Sequence, residues 1–215
     1  MNLLPPEALL KTGAVDHADW NFRPVLGSIQ RLRFKMVAHL LPRRRSERLL
    51  EIGYGSGIFM LELARVCDEL YGIDIHDEPR QVEEVLARYG CHPQLFTGDA
   101  AELPFADQYF DCVVAVSALE FIDDLAAACR EVRRVLRTDG SFIVVTPNQS
   151  PVVDLGLKVL TGESARRDYG DRRLRVLTTL RQHFEVKEAR YFPPLAGSWF
   201  RLYTALKLQL PSPRK

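Results

Sequence analysis

Three features of the sequence predict an α/β fold: a doubly wound, mostly parallel sheet with helices on both faces and a small helical cap. Short, almost wholly apolar runs recur along residues 48–146. Segments with helical periodicity separate them, and the first run closes on a glycine-rich turn. Strands apolar on both sides need cover on both faces, and strand–helix alternation with right-handed crossovers provides it.

In chain order, residues 26–41 read as an amphipathic helix with Ile29, Leu32, Met36 and Leu40 on one face. Residues 48–53 form a short apolar run ending in Gly53, a buried-strand pattern. Residues 58–66 follow as a short helix and 70–75 as the second strand. Asp77 is placed to cap the next helix, with Pro79 in its first turn and Gly90 as its stop. Residues 94–97 are a third strand, and 110–116, β-branched and nearly all apolar, a fourth. Asp123 or Asp124 opens a helix whose apolar residues Leu125, Cys129, Val132 and Leu136 share one face, and Gly140 ends it. Residues 141–146 make a fifth strand, stopped by Pro147. Residues 151–160 are apolar around Gly156, 174–180 are helical, and 184–191 alternate like a sixth strand. Residues 199–210 fit a helix through Trp199, Leu202, Tyr203 and Leu206, and a strand through Phe200, Leu202, Leu206 and Leu208. The expected organisation is a helical cap over 1–45 and a main domain over 46–215, with 148–170 a cap insertion.

Composition narrows the class. The chain has 215 residues, 47% hydrophobic and 27% charged, which suits one generous globular domain rather than a disordered or fibrous chain. Its formal charge of +1 is unevenly spread: residues 49–150 carry −11, while 23–48 and 151–215 each carry +7. The basic flanks either reflect arginine-rich usage or face something anionic. No apolar run reaches the roughly 20 residues of a membrane-spanning helix, and the first residues lack the pattern of a signal peptide. Weak contact with a membrane surface stays open. The four cysteines form no CxxC pair, so neither a zinc site nor a disulfide framework is expected, and a reducing cytoplasm is the default compartment.

The chemistry starts where the first strand ends, because open parallel sheets bind ligands beyond the carboxyl ends of their strands. Glu51-Ile-Gly53-Tyr-Gly55-Ser-Gly57 places three glycines at alternate positions, so the backbone turns sharply and a ligand approaches without meeting a Cβ. The free N–H groups of the following helix suit a carboxylate or phosphate. A dinucleotide fingerprint wants G-x-G-x-x-G; here Ile58 stands where its third glycine should be, and Glu51 would repel a pyrophosphate. Anion-binding amides beside a buried acid suit a zwitterion. The second strand ends in Asp74, placed to accept both hydroxyls of a ribose. The third ends in Gly98-Asp99-Ala100, where Asp99 either accepts from an adenine amino group, with the Ala100 amide donating to a ring nitrogen, or simply closes an Asx-turn.

Five motifs carry a family resemblance: Leu49-Leu-Glu-Ile-Gly-Tyr-Gly-Ser-Gly57, Gly72-Ile-Asp-Ile75, Gly98-Asp-Ala-Ala-Glu-Leu-Pro-Phe105, Tyr109-Phe-Asp-Cys-Val-Val-Ala-Val-Ser-Ala-Leu-Glu120 and Glu131-Val-Arg-Arg-Val-Leu-Arg-Thr-Asp-Gly-Ser-Phe-Ile143. Together they resemble the class I S-adenosylmethionine-dependent methyltransferases, in particular their small-molecule branch. The resemblance covers residues 46–147 well and 148–192 loosely. It implies a Rossmann-like fold, S-adenosyl-L-methionine as cofactor and S-adenosyl-L-homocysteine as product. It also implies a site in which Gly53, Gly55 and Gly57 line the methionine moiety, Asp74 holds the ribose, Asp99 and Ala100 hold the adenine, and Ser117 borders the sulfonium. Glu51, Tyr54 and Ile75 complete the expected cofactor-binding set. Relatives often carry His where Phe121 stands, so no general base is carried over there. The family's seventh, antiparallel strand is left open by the ambiguous segment 199–210.

The expected activity is methyl transfer to an O, N, S or C nucleophile of a small molecule, one with an apolar body and an acidic group. Candidates for a proton-transfer role are His17, Tyr54, His76, Glu120 and Tyr169, each with an ordinary packing role as the alternative; His39 and His183 read as structural. A non-catalytic module binding the same cofactor is a rival, and an NAD-type dehydrogenase is disfavoured by Glu51 and the missing glycine. A nucleic-acid methyltransferase is a further rival, although the Asn-Pro-Pro-Tyr and Pro-Cys motifs of two such classes are absent and few aromatics accompany the arginines. Oligomeric state is not legible.

Overall fold

A computed structural model describes residues 1–13, 18–24, 26–148, 172–194 and 200–211. Its centre is one seven-stranded sheet. The strands are β1 (Ser46–Ile52), β2 (Cys67–Asp74), β3 (Gln94–Thr97), β4 (Phe110–Val116), β5 (Leu136–Pro147), β6 (Glu185–Phe192) and β7 (Tyr203–Gln209). Their spatial order is β3-β2-β1-β4-β5-β7-β6. The first five are parallel, and β7 is antiparallel to both β5 and β6. The helices are α1 (Leu26–Leu40), α2 (Met60–Leu63), α3 (Pro79–Arg88), α4 (Leu125–Val135) and α5 (Arg172–His183).

Two apolar layers sandwich the sheet. On one face α1 to α3 contribute Phe34, Met36, Val37, Leu40, Met60, Leu63, Val82 and Leu86, meeting Leu49, Cys112, Val114 and Val116 of the strands. On the other, α4 and α5 contribute Cys129, Val132, Val176 and Leu180, meeting Leu50, Ile52, Val113 and Ala115. The alternation along β4 is the period of two that a strand covered on both sides requires. The edge strand β6 carries Glu185, Lys187, Glu188 and Arg190 on an exposed or half-exposed surface, which discourages further strand pairing.

Several local expectations are corrected. The helix read over 58–66 narrows to Met60–Leu63. Glu78 is the N-cap residue of α3 and makes no side-chain cap bond, so Asp77 is not the cap; Pro79 does open the helix and Gly90 follows it at φ +74°. Gly140 does not end α4, which stops at Val135, and Leu136 already pairs with Phe110 of β4. The helix ends early because the Gln108 and Tyr109 N–H groups capture the carbonyls of Arg134 and Val135. Ladder pairing resumes at Ser141, opposite Cys112, and the residues between form an irregularity in the strand. On α1 the buried residues are Leu26, Gly27, Phe34, Met36, Val37 and Leu40, whereas Ile29 and Leu32 are only half-buried. Segment 199–210 resolves into β7 over its described part, because Ala205, Leu206 and Leu208 fill both apolar layers between β5 and β6. Trp199 and the cap insertion, apart from Asn148, lie outside the described residues.

Candidate active site

A cavity of about 370 Å³ opens at the carboxyl ends of β1, β2, β3 and β4. The glycine-rich turn forms its floor. Gly53 takes φ +75° and its missing Cβ matters: a Cβ there would clash with the Ala118 Cβ. The turn is tied down by its own amides. Gly53 N–H donates to Ile73 O (2.8 Å), Gly55 N–H to Asp74 Oδ2 (2.8 Å) and Gly57 N–H to Tyr54 O (2.9 Å). These amides are therefore not left over for a ligand anion, and a four-residue α2 offers no extended helix N-terminus.

The charged groups of the cavity are Glu51, Arg33, Asp74, Asp99, Asp123 and the ionisable His76. Glu51 is 3% exposed, and its Oε2 has no hydrogen-bond partner among the described residues. Burial pushes its carboxyl up to about 8, the Asp74 carboxylate adds to the rise, and Arg33 opposes it. Arg33 comes from α1, its guanidinium lying 4.8 Å over the Phe34 ring, and its Nε is also buried without a partner. Tyr54 Oη, Ser56 Oγ and Ser117 Oγ are three more buried polar atoms with no partner among the described residues, on side chains that line the same cavity. Buried polar groups are costly when unpaired, so five of them around one cavity mark a place where a polar ligand completes the bonding.

Asp74 is the hub of the rim. Its Oδ2 holds the glycine turn, and its Oδ1 accepts from Ile75 N–H (2.7 Å) and His76 N–H (3.4 Å), with acceptor capacity remaining. Ile75 is 81% exposed, an apolar side chain at the mouth of the cavity. His76 Nδ1 accepts from Glu78 N–H (3.1 Å), so Nε2 carries the proton it donates to Gly55 O (3.1 Å). With both ring nitrogens engaged, His76 braces the turn and has no nitrogen left for proton transfer. Tyr54 packs edge-on against it, with ring centroids 4.9 Å apart, and burial pushes its phenol well above the usual range. Asp99 Oδ1 accepts from Ala101 N–H (2.8 Å), so an Asx-turn is formed, and Gly98, Asp99 and Ala100 line the cavity together. Ser117 takes φ +53°, its N–H donating to Val145 O (2.8 Å).

Of the expected cofactor residues, Glu51, Gly53, Tyr54, Gly55, Asp74, Ile75, Asp99, Ala100 and Ser117 line this one cavity; Gly57 lies behind the turn against Val82 and Leu86. Glu120 is buried in the turn Leu119–Phe121 and does not line the cavity. His17 and Tyr169 lie outside the described residues. Arg33, Ser56, Gln30 and Phe34 line the cavity and were not anticipated. Nothing in the sequence distinguishes Arg33 from seven other basic residues in 23–48; its role follows from where α1 crosses the sheet. Burial raises the pKa of all four cysteine thiols, so none is poised as a nucleophile. Among the described residues no cluster of His, Cys, Asp or Glu could hold a metal ion, and no helix is long and apolar enough to cross a membrane.

Comparison with known proteins agrees with this geometry. Residues 50–144 match the family model described as a methyltransferase domain. An uncharacterized methyltransferase of Bacillus subtilis is 35% identical over 115 residues, covering 52% of this chain and 46% of that protein. The ubiquinone biosynthesis O-methyltransferase of Albidiferax ferrireducens is 29% identical over 153 residues, covering 68% of this chain and 60% of that one. The chain spans about half the length of the curated relatives it matches. Among solved structures, the N-methyltransferase NodS of Bradyrhizobium japonicum in complex with S-adenosyl-L-homocysteine superposes with a TM-score of 0.61 at 17% identity, covering 92% of this chain and 94% of that one.

Proposed function

We propose that this chain, whose residues 50–144 match a family model described as a methyltransferase domain, is a class I S-adenosylmethionine-dependent methyltransferase that transfers a methyl group to a nucleophilic O, N, S or C atom of a small molecule. The observation that carries the reading is the pair of unpartnered buried groups of opposite charge type, Glu51 Oε2 and Arg33 Nε, in one cavity. A zwitterionic amino acid end supplies an ammonium for the first and a carboxylate for the second. The fit extends along the rim: Asp74 has acceptor capacity for a ribose diol, Ile75 offers an apolar face, and the Gly98–Ala100 turn suits an adenine edge. A pyrophosphate would meet the Asp74 and Asp99 carboxylates unfavourably.

When bound, S-adenosylmethionine supplies a sulfonium that already activates its methyl group. What the chain must add is alignment and exclusion of water. Ser117 and Ala118, where β4 ends, form the wall next to the glycine turn. Thr12, Trp20, Gln30, Phe34, Phe121 and Ile122 line the rest of the cavity. That lining suits an acceptor with an apolar body; support for an acidic group on it comes from the +7 charge of each flank. His76 braces the turn rather than taking a proton, so the described residues act by positioning an acceptor that is nucleophilic as bound.

Calorimetric titration tests the cofactor half: S-adenosylmethionine and S-adenosylhomocysteine bind in the micromolar range and NADH does not. Incubating the protein and cofactor with a metabolite pool tests turnover, read by mass spectrometry as a gain of one methyl group on a single class of compound. No heat with either adenosyl ligand overturns the reading. Binding with no methylated product leaves the non-catalytic module in its place.

A further inference from the structure

We propose that Glu131 and Arg134 of α4 are positioning residues for the adenine end of the cofactor site, acting through the 98–107 loop, although neither lines the cavity. The inference rests on the cofactor reading above. It starts from a motif that reading leaves unused, Glu131-Val-Arg-Arg134.

The two side chains lie one turn apart on α4 and form a forked pair: Arg134 Nε donates to Glu131 Oε1 (2.9 Å) and Nη2 to Glu131 Oε2 (2.7 Å). The remaining donors of the guanidinium reach the loop. Nη2 also donates to Leu103 O (2.9 Å), and Nη1 to Phe105 O (2.7 Å) and Asp107 Oδ1 (2.9 Å). All five donors of Arg134 are thus engaged. Glu131 Oε2 in turn accepts from Leu103 N–H (2.9 Å), so both backbone polar groups of Leu103 are held by one ion pair.

The position of Leu103 gives this clamp its consequence. The turn that lines the cavity, Gly98-Asp99-Ala100, is anchored at its start by Gly98 N–H donating to Asp74 O (2.8 Å). Inside it, Asp99 Oδ1 accepts from Ala101 N–H and Asp99 O from Glu102 N–H (3.0 Å). Leu103 is the next residue, so the turn is suspended between the end of β2 and the clamp on α4. A half-exposed ion pair contributes little to global stability. A planar fork with every donor committed chiefly fixes geometry. Lys at 134 keeps the charge but supplies a single ammonium in place of three nitrogens, so it cannot hold Leu103, Phe105, Asp107 and Glu131 together.

The test uses the full chain, calorimetry with S-adenosylhomocysteine and with adenosine, and amide hydrogen exchange. Arg134→Lys and Glu131→Gln each weaken both ligands by roughly the same factor, on the order of tenfold. Amides of residues 100–103 exchange faster in both variants, while the thermal midpoint stays close to that of the parent. Glu51→Gln serves as the contrast, because it weakens S-adenosylhomocysteine and leaves adenosine unchanged. Because Glu131→Gln keeps the shape and one acceptor oxygen, it carries the test if Arg134→Lys does not fold. Unchanged ligand affinities, or a loss confined to S-adenosylhomocysteine with adenosine unaffected, overturn the proposal while leaving the cofactor reading intact. Failure of the parent protein to bind either ligand overturns both.

Discussion

Glu51 concentrates the physics of the site in one side chain. An isolated glutamate titrates near 4.5, whereas burial holds this carboxyl protonated up to about pH 8 in the folded protein without ligand. The folded state therefore binds a proton that the unfolded chain has released, and stability from this group is lost as pH rises from about 4.5 through about 8. Glu51→Gln removes that dependence: between pH 6 and pH 8.5 the urea midpoint of the parent falls, and that of the variant falls less. A ligand ammonium reverses the preference, so cofactor binding at pH 7 is expected to release a proton. Calorimetry in buffers of different ionisation enthalpy reads that release directly, and its absence would detach Glu51 from the ligand. Asp74 acts differently, as an acceptor already holding Gly55, Ile75 and His76 N–H groups. Asp74→Ala is expected to weaken S-adenosylhomocysteine by about 1–3 kcal/mol, since the ribose contact and the tether of the turn go together. An unchanged dissociation constant would reduce Asp74 to a turn cap.

At the scale of elements, α4 and its flanks join the two halves of the site. Asp124 caps the helix, its Oδ1 accepting from Ala127 N–H (2.9 Å), and the segment just before it brings Phe121 and Ile122 to the cavity. Asp124→Ala costs about 1 kcal/mol of stability, the usual worth of such a cap. Its check is a thermal midpoint several degrees lower with ligand affinity at 25 °C little altered. At its other end, α4 gives way directly to β5 because the residues leading into β4 take its last carbonyls. Gly140 signals a stop in the sequence, yet a competing backbone partner at Val135, five residues earlier, decides where the helix ends.

Over the whole molecule, the cap is less separable than its charge suggests. Leu4 is fully buried, its N–H donates to Ile58 O (3.2 Å), and Leu3, Leu9 and Leu10 pack on the same core. Arg33 of α1 lines the cavity beside Glu51. Removing residues 1–22 is expected to lower the thermal midpoint by several degrees or more, since burying one leucine is worth about 2 kcal/mol. Loss of Thr12, Gly13 and Trp20 from the cavity wall accompanies it. Trp20→Ala is the sharper probe: S-adenosylhomocysteine affinity holds within about twofold, whereas methyl transfer to the acceptor drops. Equal losses of both would place Trp20 in the cofactor site.

The sequence by itself determined the strand–helix alternation, the parallel core of the sheet and the acids at its carboxyl edge. Those signals are local: a run such as Phe110–Val116 is apolar whichever way the chain folds, and Glu51, Asp74 and Asp99 each sit at or just past the end of a strand that announces itself. The antiparallel β7 was not fixed locally, because 199–210 satisfies two periodicities and only the gap between β5 and β6 selects one. Arg33 was not legible at all, since its partner across the cavity lies eighteen residues away on another element. Tertiary structure also decided the fate of the glycine amides and of His76. Local sequence offers donors and acceptors, but the approach of β2 to the turn commits them to Ile73, Asp74 and Gly55. Arg33 likewise reaches the cavity only because α1 carries it there, since neighbours in a folded chain are assigned by proximity in space.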